Sequence, residues 1–473
     1  MSAVSDHEEP WKLTAAEVLP LLRSGELKVL DLAKSLLTRI HQRDESVKAW
    51  VWLSPSQILQ QAQVLDDIPS AQRGPLHGLP VGVKDIILTK DMPTQYNSKL
   101  YQSETPINAD ANCIITLRQA GALIFGKTTT TEFASSKQGN WHQNHTANPH
   151  DLERTPGGSS SGSGAAVGDF QIPVALGTQT GGSIIRPASF NGCYGFKPTW
   201  GSISREGIAQ WSWTLDTCGF LCRSVEDVER ILDVFQVMDD EPIPKEPFSL
   251  KGAVIGFAKT HNWPAAGPGT EKAMEKAVEL LKKQGARAEA VDLPEDMGFD
   301  NALKWHNTVL NAEGKTSFLG QYRTDTKLLH DDIVGYVENR KNVSRKDQLE
   351  AYDSCARLRV TWDEIASKCD LVITPSIPDE APKGLENTGN MTFCSMWTML
   401  HAPALNIPGF AGENGLPIGL TAVAPRFRDR HLLHVARTIG PLFEKEGGWQ
   451  RKNVESIPIR QPVRRSSTGL RST

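Results

Sequence analysis

The stretch from Pro156 to Gly201 reads PGGSSSGSGAAVGDFQIPVALGTQTGGSIIRPASFNGCYGFKPTWG. It contains two clusters of Gly and Ser, at 157–164 and 177–183, on either side of the apolar segment Ile172–Leu176. Glycine at this density indicates tight turns and a backbone that approaches a ligand closely. Serine adds hydroxyl groups, and consecutive N–H groups in such turns can bind an anion. One such cluster is typical of a flexible loop, whereas two clusters around one apolar segment indicate a functional site.

These residues resemble the signature of the amidase signature family of serine hydrolases. The family pattern is roughly GGSSGGS, an apolar run, GTDTGGSIRxPA and then GxxGxKPT. The corresponding segments here are GGSSSGS at 157–163, GTQTGGSIIRPA at 177–188 and GCYGFKPT at 192–199. Two departures lie beside the expected nucleophile, since Gln179 replaces the usual Asp and Arg186 comes one position later than the usual Arg. They bear on the choice of substrate more than on the mechanism.

Composition and charge argue against several classes of protein. A chain of 473 residues with 39% hydrophobic and 22% charged side chains suits a globular protein, and large α/β sheets reach this size as one unit. The net charge of −4 gives no broad basic field for nucleic acid. Seven cysteines without a CxxC pair predict neither a disulfide framework nor a zinc site. No apolar run is long enough for a transmembrane helix, and the start MSAVSDHEEPWK does not resemble a signal peptide, so we expect a cytoplasmic protein.

The spacing of apolar residues predicts helices that alternate with strands. Helices are predicted over 13–23, capped by Thr14 and ended by Gly25, and over 29–43, 112–121, 270–285 and 346–367, with further helices starting at 54 and 429. Strands are predicted at 49–53, 78–87, 122–125, 253–257, 286–293, 370–375 and 415–423. This alternation indicates an α/β layered fold.

The family resemblance extends this prediction to the whole chain. It implies a single large mixed, twisted β-sheet surrounded by α-helices, the amidase signature fold. We therefore predict one amidase signature domain over 13–443. The remaining C-terminal segment, 444–473, is basic and polar, and we expect its end to be disordered.

A lysine lies inside a predicted core strand, in the run GLPVGVKDII at 78–87. Apolar residues flank Lys84 on both sides, and burial of an unpaired ammonium group is costly. The ordinary explanation is a lysine whose stem is buried while its head reaches solvent. The segment also resembles the family's GxPxxxKD motif, and that resemblance implies that Lys84 is the catalytic base.

A phosphate-binding pattern, GxxxxGK[ST], is matched formally by Gly121–Thr128 and would make Gly126-Lys127-Thr128 a nucleotide site. Its four middle residues are Ala, Leu, Ile and Phe, and the element before it has a helical pattern. A phosphate loop instead turns around its anion after a strand. We predict a helix, a glycine and a strand here.

A second pattern, GxSxG, is matched by Gly158–Gly162 with Ser160 at its centre. A nucleophile elbow of this kind needs a strand before it and a helix after it. The preceding residues, 151–156, are mostly polar and end in proline, so we do not predict such an elbow. We expect a helix to begin at 163–167.

Nucleophilic catalysis by serine needs a base that removes the hydroxyl proton and N–H donors for the tetrahedral oxyanion. Ser183 follows two glycines whose backbone N–H groups can point at one oxygen, so it is the best candidate nucleophile. By resemblance to the family, Ser159 follows a cis peptide bond and relays the proton from Ser183 to Lys84. The expected oxyanion hole consists of four consecutive residues, Thr180, Gly181, Gly182 and Ser183.

Two more residues near the nucleophile are candidates for substrate binding, Ser160 and Arg186. For Arg186 we favour a structural role, either in an ion pair with a carboxylate such as Asp216 or as a cap on backbone carbonyls. The alternative is that its guanidinium group enters the pocket and binds the carboxylate of a small acid amide. His142 and His145 are expected to be loop residues, because no acid is placed behind either of them.

The sequence thus predicts an amidase that hydrolyses the C–N bond of a small linear carboxamide, without a metal or an organic cofactor. An alternative within the family is a glutaminase subunit of an amidotransferase, which would need partner subunits for work on tRNA. A different class, the nucleotide-binding proteins, rests on Gly126-Lys127-Thr128 alone. The expected partner is a small-molecule amide, with no nucleic acid and no membrane, and a homodimer is left open.

Overall fold

The computed structural model describes residues 9–103, 105–135 and 145–450. Eleven strands form one sheet in this part of the chain. They are β1 Trp50–Trp52, β2 Pro80–Lys84, β3 Leu123–Thr128, β4 Val174–Gln179, β5 Tyr194–Lys197, β6 Thr217–Cys222, β7 Val254–Phe257, β8 Arg287–Ala290, β9 Leu371–Pro375, β10 Ala404–Ala411 and β11 Pro417–Val423.

The described residues also form fourteen α-helices, several of which pack directly against this sheet. They are α1 Ala15–Ser24, α2 Val29–Val47, α3 Pro55–Asp66, α4 Asn112–Gln119, α5 Ser161–Gly168, α6 Ile185–Phe190, α7 Val225–Phe235, α8 Pro268–Lys283, α9 Ala302–Ser317, α10 Leu319–Thr324, α11 Asp331–Val337, α12 Arg345–Ala366, α13 Thr392–Met399 and α14 Asp429–Glu446. Short 3-10 helices lie at Pro10–Lys12, Ser70–Gln72, Glu132–Ala134, Trp263–Ala265, Glu295–Met297, Phe299–Asn301 and Thr326–Leu328.

The sheet is mixed, with the strand order β1-β3-β2-β4-β6-β5-β10-β11-β9-β7-β8. Strand β2 runs parallel to β3 and β4, and β7 runs parallel to β8 and β9, while the other neighbours are antiparallel. The predicted α/β class and the single large mixed sheet are confirmed. None of the described helices combines the length and apolar character that crossing a membrane requires.

The register of β2 and β4 places the candidate site at one edge of the sheet. Val83 lies opposite Leu176, and both strands are buried along their whole length. Because parallel strands end at the same edge, Lys84 at the end of β2 comes beside the residues that end β4. The chain then turns at 180–184 into α6, so the Gly-rich turn lies next to the buried lysine.

The elements with the clearest apolar spacing form as predicted. Thr14 caps α1, where its side chain accepts the backbone N–H of Glu17, and Gly25 ends the helix with φ +84°. Helix α2 runs four residues further than predicted, to Val47, and ends at Lys48 in the left-handed region. Helix α5 begins at Ser161, with no strand before it, as expected for a sequence without a nucleophile elbow.

The phosphate-loop pattern has the structure predicted for it. Helix α4 is followed by Gly121 with φ +94°, and the apolar residues then enter β3. Lys127 is fully buried, donates to Thr94 Oγ1 at 2.6 Å and to the Ile87 carbonyl at 2.9 Å, and lies 3.3 Å from Asp85 Oδ1. Because this ammonium group is already satisfied inside the core, a nucleotide site based on Gly126-Lys127-Thr128 is wrong.

Candidate active site

Lys84 is fully buried at the end of β2. Its Nζ atom lies 2.7 Å from Ser159 Oγ and 2.8 Å from Thr178 Oγ1. Burial lowers the pKa of Lys84 well below its ordinary value, and the negative charge of Asp216 only partly opposes this effect. No carboxylate of the described residues forms an ion pair with Lys84. The geometry therefore favours a neutral amine, which can accept a proton from Ser159.

The segments that carry Ser159 and Ser183 are held together by hydrogen bonds. The backbone N–H of Ser160 donates to the Ser183 carbonyl at 3.4 Å, and Arg186 Nη2 donates to the Gly158 carbonyl at 2.6 Å. The Gly158–Ser159 bond is cis, as the family resemblance implied. Within the described chain the hydroxyls of Ser159 and Ser183 make no hydrogen bond to each other, and such contacts often tighten only when substrate binds.

The glycines of the turn allow α13 to lie directly against it. A Cβ atom on Gly181 would collide with Met391 Sδ, and one on Gly182 would lie 2.9 Å from Cys394 Cβ. The backbone N–H groups of Gly181, Gly182 and Ser183 donate no hydrogen bond to the described residues. These three donors are therefore available for an oxyanion.

Thr180 is anchored by a buried carboxylate. Its hydroxyl donates to Asp216 Oδ1 at 2.6 Å, while Asp216 Oδ2 accepts the backbone N–H groups of Trp211 and Ser212 at 2.8 and 3.0 Å. Burial raises the pKa of Asp216 to about 6, and the hydrogen bond from Thr180 acts in the opposite direction. Both carboxylate oxygens of Asp216 thus accept hydrogen bonds, one from Thr180 and the other from the loop at 211–212.

Arg186 is buried and caps backbone carbonyls. Besides the Gly158 carbonyl, it donates to the Gly389 carbonyl at 2.8 Å and to Thr388 Oγ1 at 3.1 Å. Burial lowers the pKa of Arg186 to about 10. The ion pair with Asp216 that the sequence suggested as one option is wrong, and the alternative of carbonyl capping describes the contacts.

Ser160 has its hydroxyl engaged inside the protein. It is fully buried, and its Oγ donates to the Thr178 carbonyl at 3.3 Å and accepts the Thr178 N–H at 3.3 Å. Substrate binding by Ser160 would require these two contacts to break. Ser160 therefore links the loop of Ser159 to β4.

Gln179, which replaces the usual Asp of the family, closes the turn upon itself. Its Oε1 accepts the N–H groups of Ile184 and Ile185 at 2.8 and 3.0 Å, so the side chain spans the turn to the start of α6. Its Nε2 donates to Thr398 Oγ1 on α13 at 3.0 Å. A neutral amide thus supplies both an acceptor and a donor in a fully buried position.

Two pockets that share Phe133 in their walls lie beside the site. The small pocket, about 10 Å³, is lined in part by Thr178, Thr180 and Asp216 and has room for roughly one water molecule. The larger pocket, about 500 Å³, is lined in part by aromatic side chains, Tyr96, Tyr101, Trp213 and Phe318. The larger pocket therefore offers apolar walls to an aromatic or aliphatic group.

Within the residues that the structure describes, no group of three or more His, Cys, Asp or Glu side chains is placed to hold a metal ion. His142 lies outside the described residues, and His145 forms no ion pair with a described carboxylate.

A family model described as Amidase matches residues 31–433, which include Lys84 and both glycine-rich clusters. The chain belongs to the amidase family. The members of this family are enzymes that hydrolyse amide C–N bonds.

Some similar proteins are named as amidotransferase subunits and others as amidases. One subunit of the glutamyl-tRNA(Gln) amidotransferase of Symbiobacterium thermophilum is 33% identical, over 90% of this chain and 95% of that protein. Among solved structures, an amidase superposes with a TM-score of 0.81 at 28% identity, covering 92% of this chain and all of that one. The corresponding amidotransferase subunit from Thermotoga maritima gives a TM-score of 0.73 at 26% identity, covering 92% and 95% of the two chains.

Sequence reasoning missed three side chains that touch the site. Thr178, which lies on β4, contacts Lys84. Its position two residues before Thr180 is the sequence signal that could have identified it. His306 and Thr398 bind carbonyls of the turn from 126 and 217 residues away in sequence. No motif or periodicity connects such distant positions.

For Arg186 we expect a loss of activity that does not depend on substrate charge. Arg186→Ala removes the link between Gly158 and the loop at 388–389, so turnover of a dicarboxylic mono-amide and of its neutral methyl ester should fall by the same factor. The measurement is kcat/KM for both compounds in the wild type and the variant. A selective loss for the acid would instead assign the guanidinium group to substrate binding.

Proposed function

We propose that this chain hydrolyses a small carboxamide through an acyl-enzyme on Ser183, with Ser159 and Lys84 as the proton relay. The observation that carries the proposal is the fully buried Lys84, whose Nζ lies 2.7 Å from Ser159 Oγ and which forms no ion pair with a carboxylate of the described residues. A buried lysine of this kind is an effective base because its pKa is lowered.

The relay accounts for every proton of the reaction. Lys84 takes the proton of Ser159, and Ser159 takes that of Ser183 as Ser183 Oγ attacks the amide carbon. The oxyanion is stabilised by the free N–H groups of the turn. The proton then passes to the nitrogen as the C–N bond breaks, so that ammonia or an amine leaves. Water, activated by the same relay, attacks the acyl carbon and releases the acid and free Ser183.

A second candidate, a glutaminase subunit of a tRNA-dependent amidotransferase, is favoured by the names of the curated relatives. In this role the leaving group would be ammonia from glutamine, delivered to partner subunits. The solved amidase and the amidotransferase subunit superpose with TM-scores of 0.81 and 0.73 at 28% and 26% identity, so likeness of fold does not separate the two candidates. Against the second candidate, the described walls of the two pockets carry only two strongly charged side chains, Arg205 and Asp216, to receive a zwitterion.

Asp216 is already engaged by three donors, and Arg205 lies over the Trp200 ring and donates to the Trp213 carbonyl. This arrangement favours a neutral substrate with an apolar or aromatic part over a free amino acid. The cytoplasmic location and the choice between a monomer and a homodimer stay predictions.

The two candidates differ in what the isolated chain can do. We expect purified protein without partners to release ammonia from butyramide and 3-phenylpropionamide with higher kcat/KM than from L-glutamine. The measurement is ammonia release, with Ser183→Ala as the control for contaminating activity. Hydrolysis of L-glutamine but of neither simple amide, at a rate that added amidotransferase partner subunits increase, would favour the second candidate.

A further inference from the structure

Three carbonyl groups in the turn before Ser183 each accept a hydrogen bond from a residue of a helix. His306 Nε2 on α9 donates to the Thr180 carbonyl at 2.9 Å. Thr398 Oγ1 on α13 donates to the Gly181 carbonyl at 2.7 Å. The Gly182 carbonyl accepts the backbone N–H of Arg186 at 2.9 Å, as part of the first turn of α6.

Peptide geometry converts these contacts into directions for the N–H groups. In a trans peptide unit the carbonyl of one residue and the N–H of the next point to opposite sides. Gly158–Ser159 is the only cis bond in the described chain, so the units after Thr180 and Gly181 are trans. A Thr180 carbonyl held toward α9 therefore turns the N–H of Gly181 away from that helix. A Gly181 carbonyl held toward α13 does the same for Gly182.

We propose that His306 and Thr398 are positioning residues of the oxyanion hole, an inference that rests on the proposed function. Each fixes one peptide plane, and together they aim two neighbouring N–H groups at the same side of the turn. An oxyanion hole is effective because its donors need no reorientation during the reaction. Glycine has more backbone freedom than any other residue, so these two planes need external anchors.

Each anchor presents one defined donor to the turn. His306 is fully buried, and since a carbonyl can only accept, its Nε2 must carry the hydrogen. Thr398 Oγ1 accepts from Gln179 Nε2 at 3.0 Å, and its single hydrogen faces the Gly181 carbonyl at 2.7 Å, much nearer than the other acceptor, the Cys394 carbonyl at 3.4 Å. Gln179 therefore acts on the turn twice, through its own contacts at the start of α6 and through Thr398.

Thr398→Val tests the hydroxyl with almost no change of shape. We expect kcat to fall on the order of tenfold, because a loosened donor loses part of its contribution, with little change in KM. The rate at which a small alkyl fluorophosphonate labels Ser183 should fall by a similar factor, since phosphonylation also develops an oxyanion. Thr398→Ser should restore both rates, and Thr392→Val on the same helix should leave them unchanged.

His306 has an equivalent pair of variants. Gln places an amide N–H as many bonds from Cβ as the Nε2 of histidine, so His306→Gln should retain most of the labelling rate, whereas His306→Leu should not. Thermal unfolding of every variant separates loss of fold from loss of alignment.

These measurements distinguish failure of the proposed function from failure of the positioning roles. If the wild-type Ser183 is not labelled and no amide is hydrolysed, the proposed function fails. If the wild type is labelled and Thr398→Val and His306→Leu are labelled equally fast, the positioning roles are wrong. They are also wrong if Thr398→Ser and His306→Gln are as slow as the variants that lack a donor, because then only packing at these positions matters.

Discussion

Ser183→Ala should abolish amide hydrolysis while the protein stays folded. The side chain is nearly buried and its hydroxyl makes no hydrogen bond to the described residues, so its removal costs the fold little. Loss of the nucleophile in comparable serine hydrolases lowers kcat by about 10⁶. We expect turnover below detection and no covalent labelling by a fluorophosphonate, measured by ammonia release and by intact mass.

The site of labelling in the wild type provides the control. Peptide mapping should place the phosphonyl group on Ser183, with Ser160→Ala labelled as the wild type is. Labelling on Ser160 would contradict the assignment and revive a nucleophile elbow. That outcome would need Ser160 to leave its two contacts with Thr178.

Lys84→Arg should be as inactive as Lys84→Ala, with losses of about 10³ or more, since general base catalysis contributes on this scale. Arginine stays protonated at every accessible pH and cannot accept the proton of Ser159. In the wild type, only the neutral form of Lys84 is competent. The rate should therefore rise with pH through the lowered pKa of Lys84 and then reach a plateau, rather than rise until pH 10.5.

The measurement is kcat against pH in the wild type, and kcat at the plateau for each variant. Ser159→Ala combined with Lys84→Ala should lose little more than either single variant, because the two groups act as one relay. Activity of Lys84→Arg near that of the wild type would remove Lys84 from the mechanism. Additive losses in the double variant would argue that the two residues act separately.

The parts of the fold with regular apolar spacing could be predicted from sequence, and the glycine-rich centre could not. Helix α1 with Thr14 and Gly25 follows local rules for caps. Strand β4 was recognised only as an apolar segment, because its end, Gly-Thr-Gln, has no strand signal of its own. Helices α6, α7, α9 to α11 and α13 were not predicted, although the regular apolar spacing of α7 would have allowed it.

The site shows the same limit. Lys84, Ser159 and Ser183 could be proposed because local motifs carry them. Their surroundings could not, since the partners of Thr180 and Gly181 come from α9 and α13, far along the chain. The role of Arg186 also depended on tertiary structure: only the positions of Gly158 and Gly389 show that its donors are used by carbonyls.

The place of β10 in the sheet has a consequence for biosynthesis. This strand lies between β5 and β11, and it pairs with β5 through Ala404 and Lys197. When the ribosome has made Lys84, Ser159 and Ser183, the strand that covers β5 does not yet exist. Such distant pairing is slow, and an uncovered strand edge invites association with other chains. Newly made chains should therefore depend on chaperones until β10 emerges, and activity should appear only after it has been inserted.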